Sequence, residues 1–581
     1  MNGLFRRAVA VAGLILLFAG LLHAEQSAPL KAYVYQDDPA YAYRLIEERP
    51  GQDYDIYFLK MVSQSWRTEQ EVTPTLWDHW LTVIVPHQLS GTTANLTIFG
   101  GGATDSPPSI ETFDQLMPLA TATGSIQVII SQVLGHPLKF KELDQPLEED
   151  ALVAYSWRKS MQTGDPTWSA FLPMTKASVR AMDTTQAFVA ESLGLVVDDF
   201  IVNGFSKYGA IAWLTAAIDS RVVAVAPGVF NVLRLADQFE RHYNSYGFYS
   251  DTLSVYEQNG IIKNIRSPEG KLLQQLVDPI SYKQALTMPH LLLSATGDEY
   301  FLPDASEAYI HDIPGETLQR IVPNTNHSVE NKLEEMIQGL VAWNQMHLNG
   351  VARPVIEWQL SKTGELIVSS DQTPLVAKLW QASNPDGRDF RQETLGDQAW
   401  RESNIENADD GDYHVSVARP DTGWTAYLVE LTYPGIAGIP QVYTTSVFVT
   451  PDEHPFEVED PLDSPKTIDY WQEQVNQAMV GSPLEYDLPA LQAMLPFRVF
   501  GEYIRDIETL SGYLNTAGPE RNCIAARLSV EADQQGWYTT LYAYEDQNFK
   551  FWQIYELAEH LYAKGQQRLA GGVCQLLTRQ Q

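Results

Sequence analysis

Between about residue 25 and residue 350, short continuous apolar runs alternate with stretches of helical periodicity, and this alternation limits the possible folds more than any other feature. The runs are Leu81-Thr82-Val83-Ile84-Val85, Asn95-Leu96-Thr97-Ile98-Phe99, Ile126–Ile130, Phe200-Ile201-Val202, Val222–Val225, His290–Leu293 and Leu318-Gln319-Arg320-Ile321-Val322. A strand that is apolar throughout is buried on both faces, which requires helices above and below it and a mostly parallel sheet. The helical periodicity of Ser178–Leu193 stops at Gly194. Val329, Leu333, Met336, Ile337, Leu340 and Val341 mark one face of a later helix that ends at Asn349-Gly350. The class predicted for 25–350 is therefore α/β. Residues 231–282 fall between two predicted strands and carry Phe239, Tyr243, Tyr246, Phe248, Tyr249 and Tyr256. They read as a lid-like helical insertion over the carboxyl edge of the sheet.

After Arg353-Pro354 the pattern changes to short alternating strands punctuated by Pro385-Asp386-Gly387 and Pro434-Gly435, which predicts a small β-sandwich over 351–452. An acidic, proline-rich linker follows at 453–465, and then a mostly helical region at 466–581. Cys523 and Cys574 both lie in that last region and are the only two cysteines. Two cysteines exclude a disulfide framework and a Cys-based metal site. They read as one disulfide or as two free buried thiols.

The chain has 581 residues, with 73 acidic and 39 basic ones, for a net charge of −34. That charge argues against nucleic acid and anionic membrane surfaces as partners. At the N-terminus, Arg6-Arg7 precede an apolar run from Ala8 to Leu22, and Leu22-His23-Ala24 follows. This is the layout of a secretory signal peptide over 1–24, cleaved near Ala24. The expected mature protein is exported to the periplasm or beyond the cell, with no membrane span after cleavage.

The densest chemical signal is Phe200-Ile201-Val202-Asn203-Gly204-Phe205-Ser206-Lys207-Tyr208-Gly209. An apolar strand runs into Gly-x-Ser and then into a helical pattern, the context a nucleophile elbow needs. Gly204 supplies the small residue two before the serine. The second glycine stands at Gly209, one place later than usual, with Tyr208 between. Taken alone, the serine also reads as an ordinary helix cap. A serine nucleophile needs a base, and the base needs a carboxylate to orient it. In the expected chain order, Asp298 follows the strand Leu291–Ala295, with Asp304 as the competing acid. His327 follows the strand Leu318–Val322 in a short polar loop. The oxyanion donors would be the Lys207 N–H and the loop Gly100-Gly101-Gly102, with Gly101 and Gly102 as the donors from that loop. The Lys207 side chain is expected in solvent. The glycine run lacks a following Gly-Lys-Ser/Thr and is no P-loop. His79 and His87 read as structural, and no metal or cofactor is expected.

These residues resemble the PhoPQ-activated pathogenicity-related protein family. The likeness rests on Leu76-Trp77-Asp78-His79-Trp80-Leu81, Ile98-Phe99-Gly100-Gly101-Gly102, Ala151-Leu152-Val153-Ala154-Tyr155-Ser156-Trp157, Leu172-Pro173-Met174-Thr175-Lys176-Ala177, Arg180-Ala181-Met182-Asp183, the elbow, and Ala295–Asp304. It covers about 30–450. Two positions differ, since the family usually carries Ala after the elbow glycine and a basic residue where Tyr208 stands. The resemblance implies an α/β-hydrolase-like core and kinship to secreted serine peptidases. Two functions follow as expectations. One is a serine hydrolase acting on a peptide or ester substrate. The other is a non-catalytic hydrolase-fold protein that binds or signals, linked to virulence or the envelope stress response.

Overall fold

The computed structural model describes residues 28–456 except 103, 135, 136 and 232, together with the strands at 497–499 and 502–504. The expected signal peptide, most of the acidic linker and both cysteines lie outside the described residues. Nearly all of 466–581 does too, apart from a short antiparallel hairpin in which Phe497–Val499 pairs with Glu502–Ile504.

Nine strands make one sheet. They are β1 (Ala42–Pro50), β2 (Tyr54–Ser65), β3 (Leu76–Pro86), β4 (Thr93–Ile98), β5 (Gln127–Ser131), β6 (Asp199–Phe205), β7 (Val222–Gly228), β8 (His290–Ala295) and β9 (Thr317–Val322). Their order across the sheet is β1-β2-β3-β5-β4-β6-β7-β8-β9. β1, β2, β3 and β5 pair antiparallel, and from β5 onward every pair is parallel. The main helices between and after them are α1 (Glu149–Thr163), α2 (Phe171–Leu193), α3 (Lys207–Ile218), α4 (Leu235–Tyr246), α5 (Pro268–Val277) and α6 (Leu333–Leu348). This is an α/β-hydrolase-like core.

Side chains alternate across each strand, so the two faces of the sheet can be told apart. Ile201, Ala224, Ala226, Leu291 and Leu293 share an apolar cluster with Met336, Leu340 and Trp343 of α6. The alternate residues Val202, Val225 and Leu292 are also buried, on the face where α2 and α3 pack. Each fully buried aliphatic side chain of this kind contributes about 1.5–3 kcal/mol. Helix α2 ends where the sequence predicts, at Gly194, whose φ of 66° suits a glycine in the left-handed region.

β1 and β2, the outer strands of the antiparallel edge, are the ones that periodicity did not reveal. β1 is largely exposed and reads Ala-Tyr-Arg-Leu-Ile-Glu-Glu-Arg-Pro, with no buried face to set an alternation.

The described residues from 353 to 452 form two antiparallel sheets. β10 (Ile356–Leu360), β11 (Glu365–Ser370) and β14 (Tyr413–Ser416) make one. β12 (Val376–Asn384), β13 (Arg401–Asn404), β15 (Trp424–Tyr433), β16 (Gln441–Thr444) and β17 (Phe448–Thr450) make the other. Leu366 and Val368 of β11 and Val429 and Leu431 of β15 belong to the same apolar cluster as Leu318 and Val322 of β9. The outer edge of β9 is also covered: the Ile321 N–H donates to Thr444 Oγ1 at 3.1 Å. Arg320 pairs with Glu430 at 2.5 Å, both side chains buried.

The chain divides into two compact units. The first holds the main sheet, through residue 238 and again from 267 to 452. The second takes in 239–266 and the described residues after 452. The expected insertion at 231–282 is thus split between them. Within the second unit, His242 stacks on Tyr249 with centroids 5.8 Å apart, and Tyr243 lies 5.6 Å from Tyr249. The Phe456 N–H donates to the Asn244 carbonyl at 3.1 Å. Among the described residues, no helix is long and apolar enough to cross a membrane.

Candidate active site

The site forms where β6 turns sharply into α3. Ser206 stands between them with φ 57° and ψ −132°, a conformation that L-residues rarely adopt. Its N–H donates to the Gly228 carbonyl at 2.8 Å, and its own carbonyl accepts from the N–H of Gly209 at 2.8 Å. Two glycines make room for the turn. A Cβ on Gly204 would lie 2.5 Å from the backbone oxygen of Tyr208. A Cβ on Gly209 would lie 3.0 Å from both the Gly228 oxygen and Phe230 Cβ. Gly209 therefore serves the close helix–strand packing despite its displaced position in the motif. Tyr208 occupies the intervening place and leans on the glycine loop, where a Cβ on Gly100 would meet its hydroxyl at 2.4 Å.

His327 and Asp298 reach this turn from the loops after β9 and β8. Asn324, at φ 60°, bends the first of these loops and is anchored by its side chain to Trp400, donating to its carbonyl at 3.0 Å and accepting from its N–H at 2.9 Å. His327 Nδ1 lies 2.8 Å from Asp298 Oδ2, and His327 Nε2 lies 2.8 Å from Ser206 Oγ. The second oxygen of Asp298 accepts the N–H groups of Tyr300 at 2.8 Å and Phe301 at 3.1 Å. A carboxylate on Nδ1 favours the tautomer protonated there, which leaves Nε2 able to accept a hydrogen bond from the Ser206 hydroxyl. The competing acid is engaged elsewhere, for Asp304 pairs with the buried Arg388 at 2.7 Å.

Burial alone would push the His327 pKa down. The charge of Asp298, its hydrogen bond, and the more distant charges of Glu299 and Asp150 outweigh burial and leave the pKa raised. Burial raises the Glu299 pKa, and the Asp298 charge adds to that, against the hydrogen bond Glu299 accepts from the His327 N–H at 3.0 Å.

The Gly100–Gly102 loop is held from Gln132, a residue at φ 65°. The Gln132 N–H donates to the Gly100 carbonyl at 2.9 Å, and its side-chain amide donates to the Gly102 carbonyl at 2.8 Å. Gly101 adopts φ 102°, which only glycine takes without strain. Lys207 opens α3, so its N–H has no partner within the helix.

The expectation for the Lys207 side chain needs correction, because it is not in solvent. Its ammonium sits 2.8 Å from Glu149 and 3.2 Å from Asp150 and is 12% exposed. Both carboxylates lie in the first turn of α1, where the helix dipole favours negative charge. Burial works against the lysine charge, but the two carboxylates outweigh it and raise the pKa.

Glu149, Asp150, Tyr300 and Phe301 were not anticipated as site residues. The Tyr300 ring lies 4.3 Å from that of His327, and the Phe301 ring 5.5 Å from it. Their signal was present in Gly297-Asp298-Glu299-Tyr300-Phe301, directly after an acid already singled out. Glu149 and Asp150 gave none, since acidic residues at the start of a helix are ordinary caps. Among the described residues, no cluster of three His, Cys, Asp or Glu side chains is placed to hold a metal ion.

The family model described as PhoPQ-activated pathogenicity-related protein matches residues 30–391. The autocrine proliferation repressor protein A of Dictyostelium discoideum is 30% identical over 441 residues, covering 72% of this chain and 89% of that protein. Among solved structures, an acetyl xylan esterase from Paenibacillus sp. R4 is similar at 14% identity and a TM-score of 0.39, over 54% of this chain and 91% of that one. A glucuronoyl esterase from Solibacter usitatus is similar at 13% identity and a TM-score of 0.34, over 54% and 91% of the two chains.

Proposed function

The chain belongs to the PhoPQ-activated pathogenicity-related protein family, and from that premise we propose that it is an exported serine hydrolase cleaving ester or amide bonds. One observation carries the reading. The hydroxyl of a serine held in a strained elbow points at an imidazole whose far nitrogen meets a buried carboxylate, with 2.8 Å at both steps. Backbone strain of this kind costs roughly 1–3 kcal/mol and persists where surrounding structure enforces it. A serine that merely capped α3 would need neither the strain nor the histidine, and its side chain makes no capping hydrogen bond.

In this mechanism Ser206 Oγ attacks the substrate carbonyl carbon while His327 Nε2 takes the hydroxyl proton. Asp298 keeps Nδ1–H in place and stabilises the imidazolium as it forms. The carbonyl oxygen becomes an oxyanion, met by the Lys207 N–H and the amides of Gly101 and Gly102. The tetrahedral centre collapses, and His327 returns the proton to the departing alcohol or amine. Water, deprotonated by the same histidine, then releases the acid and restores Ser206. The apolar leader after Arg6-Arg7 supports export.

A second reading, a hydrolase-fold signalling protein without turnover, has one observation in its favour: the relative above is named as a repressor of proliferation. Labelling with a fluorophosphonate separates the two. The expected result is a single covalent adduct on Ser206 that is absent from a folded Ser206→Ala variant. A folded wild type that stays unlabelled would leave the signalling reading standing.

A further inference from the structure

Asp150 sits in the first turn of α1, with its two carboxylate oxygens turned to different parts of the site. Oδ2 accepts the Tyr300 hydroxyl at 3.1 Å, and Oδ1 pairs with the Lys207 ammonium at 3.2 Å. Tyr300 belongs to the loop that carries Asp298, and its ring packs against His327. Lys207 is the residue after Ser206, and its ammonium is shared with Glu149 at 2.8 Å. Glu149, at φ 48°, also accepts the Tyr208 hydroxyl at 3.4 Å.

We propose that Asp150 is a positioning residue of this site, tying the ring that packs on His327 to the first turn of the helix behind Ser206. The inference rests on the serine-hydrolase reading and adds a residue the reaction does not itself require. Without Asp150, Tyr300 loses this anchor at its hydroxyl end, and of its two carboxylates Lys207 keeps Glu149. The imidazole then retains Asp298 on one nitrogen but loses the support across its face. Small displacements of a base matter, since a shift of ~1 Å costs on the order of 100-fold in rate.

The charged and titratable groups that face His327 are Asp298, Glu299 and Tyr300 from its neighbouring loop and Asp150 from α1. The Asp150 charge favours the imidazolium, so removing it lowers the pKa of His327.

The rate of fluorophosphonate labelling, followed against pH in the full-length chain, tests this. Asp150→Ala is expected to label about 10–100-fold more slowly than wild type. Asp150→Asn keeps the shape and an acceptor for Tyr300, so it should label at closer to the wild-type rate, with its acid limb moved to lower pH. Tyr300→Phe, which keeps the ring and loses only the hydroxyl, should fall between wild type and Asp150→Ala. It also serves if the alanine variant does not fold. Wild-type rates with unmoved acid limbs in Asp150→Asn and Tyr300→Phe would overturn the positioning role while leaving the hydrolase reading intact. An unlabelled wild type would instead overturn the hydrolase reading. Titration of the His327 ring by NMR in wild type and Asp150→Asn is independent of turnover, and an unchanged midpoint would also overturn the proposal.

Discussion

His327 is held between opposing influences, and on the proposed reading their balance fixes the pH at which it acts as a base. Burial favours the neutral ring, while Asp298 first, and Glu299 and Asp150 after it, favour the charged one. The net shift is upward from the ordinary value of 6.5. A general base must be neutral, so the rate of Ser206 labelling should rise through a midpoint above that ordinary value. A midpoint at or below it in the wild type would count against this environment for the ring. The stability linked to the same group runs the other way. The folded pKa is raised, so the stabilisation from the charged His327–Asp298 pair is fully present below the unfolded pKa. It is lost as pH rises through the folded pKa. On the proposed reading the protein therefore gains its base over the same pH interval in which it gives up that stabilisation.

At the scale of elements, the junction of β6 and α3 was readable because the chemistry of a tight turn leaves few residue choices. Gly204 and Gly209 stand where strand, turn and helix approach too closely for a side chain. Gly204→Ala would put a methyl group 2.5 Å from a backbone oxygen, which no rotamer change can relieve. We expect a loss of at least ~2 kcal/mol in unfolding free energy, measured by urea denaturation, since strained or overpacked buried positions fall in the severe tail of single substitutions. A loss within about 0.5 kcal/mol, typical of open surface positions, would mean that the elbow has more room than its geometry implies. β1 was not readable, because an exposed edge strand has no buried face to impose alternation. α1 was not read as a helix, and Ala151–Trp157 entered only through the family resemblance, though Leu152–Trp157 are buried. The two carboxylates just before that stretch are the ones that reach Lys207.

For the whole molecule, the strands after 352 are joined to the main sheet by buried polar contacts as well as apolar packing. Arg388 and Asp304 form one such contact, with side chains 2% and 7% exposed. Arg388→Ala would leave a buried carboxylate without this partner, and removing one member of such a pair costs about 3–5 kcal/mol. Calorimetry should show the whole first unit melting earlier in a single transition. A variant in which the strands after 352 melt separately while the sheet keeps its midpoint would mean that they are an independent module. The sequence by itself determined the buried parallel strands, the elbow at Ser206, and Asp298 and His327 in their loops. Each of these depends on local chemistry: a continuous apolar run, a glycine two before a serine, an acid or histidine just past a strand. Tertiary structure alone decided that Lys207 is buried between Glu149 and Asp150 and that Thr444 covers the edge of β9. Those outcomes depend on which distant segments share a charge or an unsatisfied backbone group, and spacing along a chain does not carry that information.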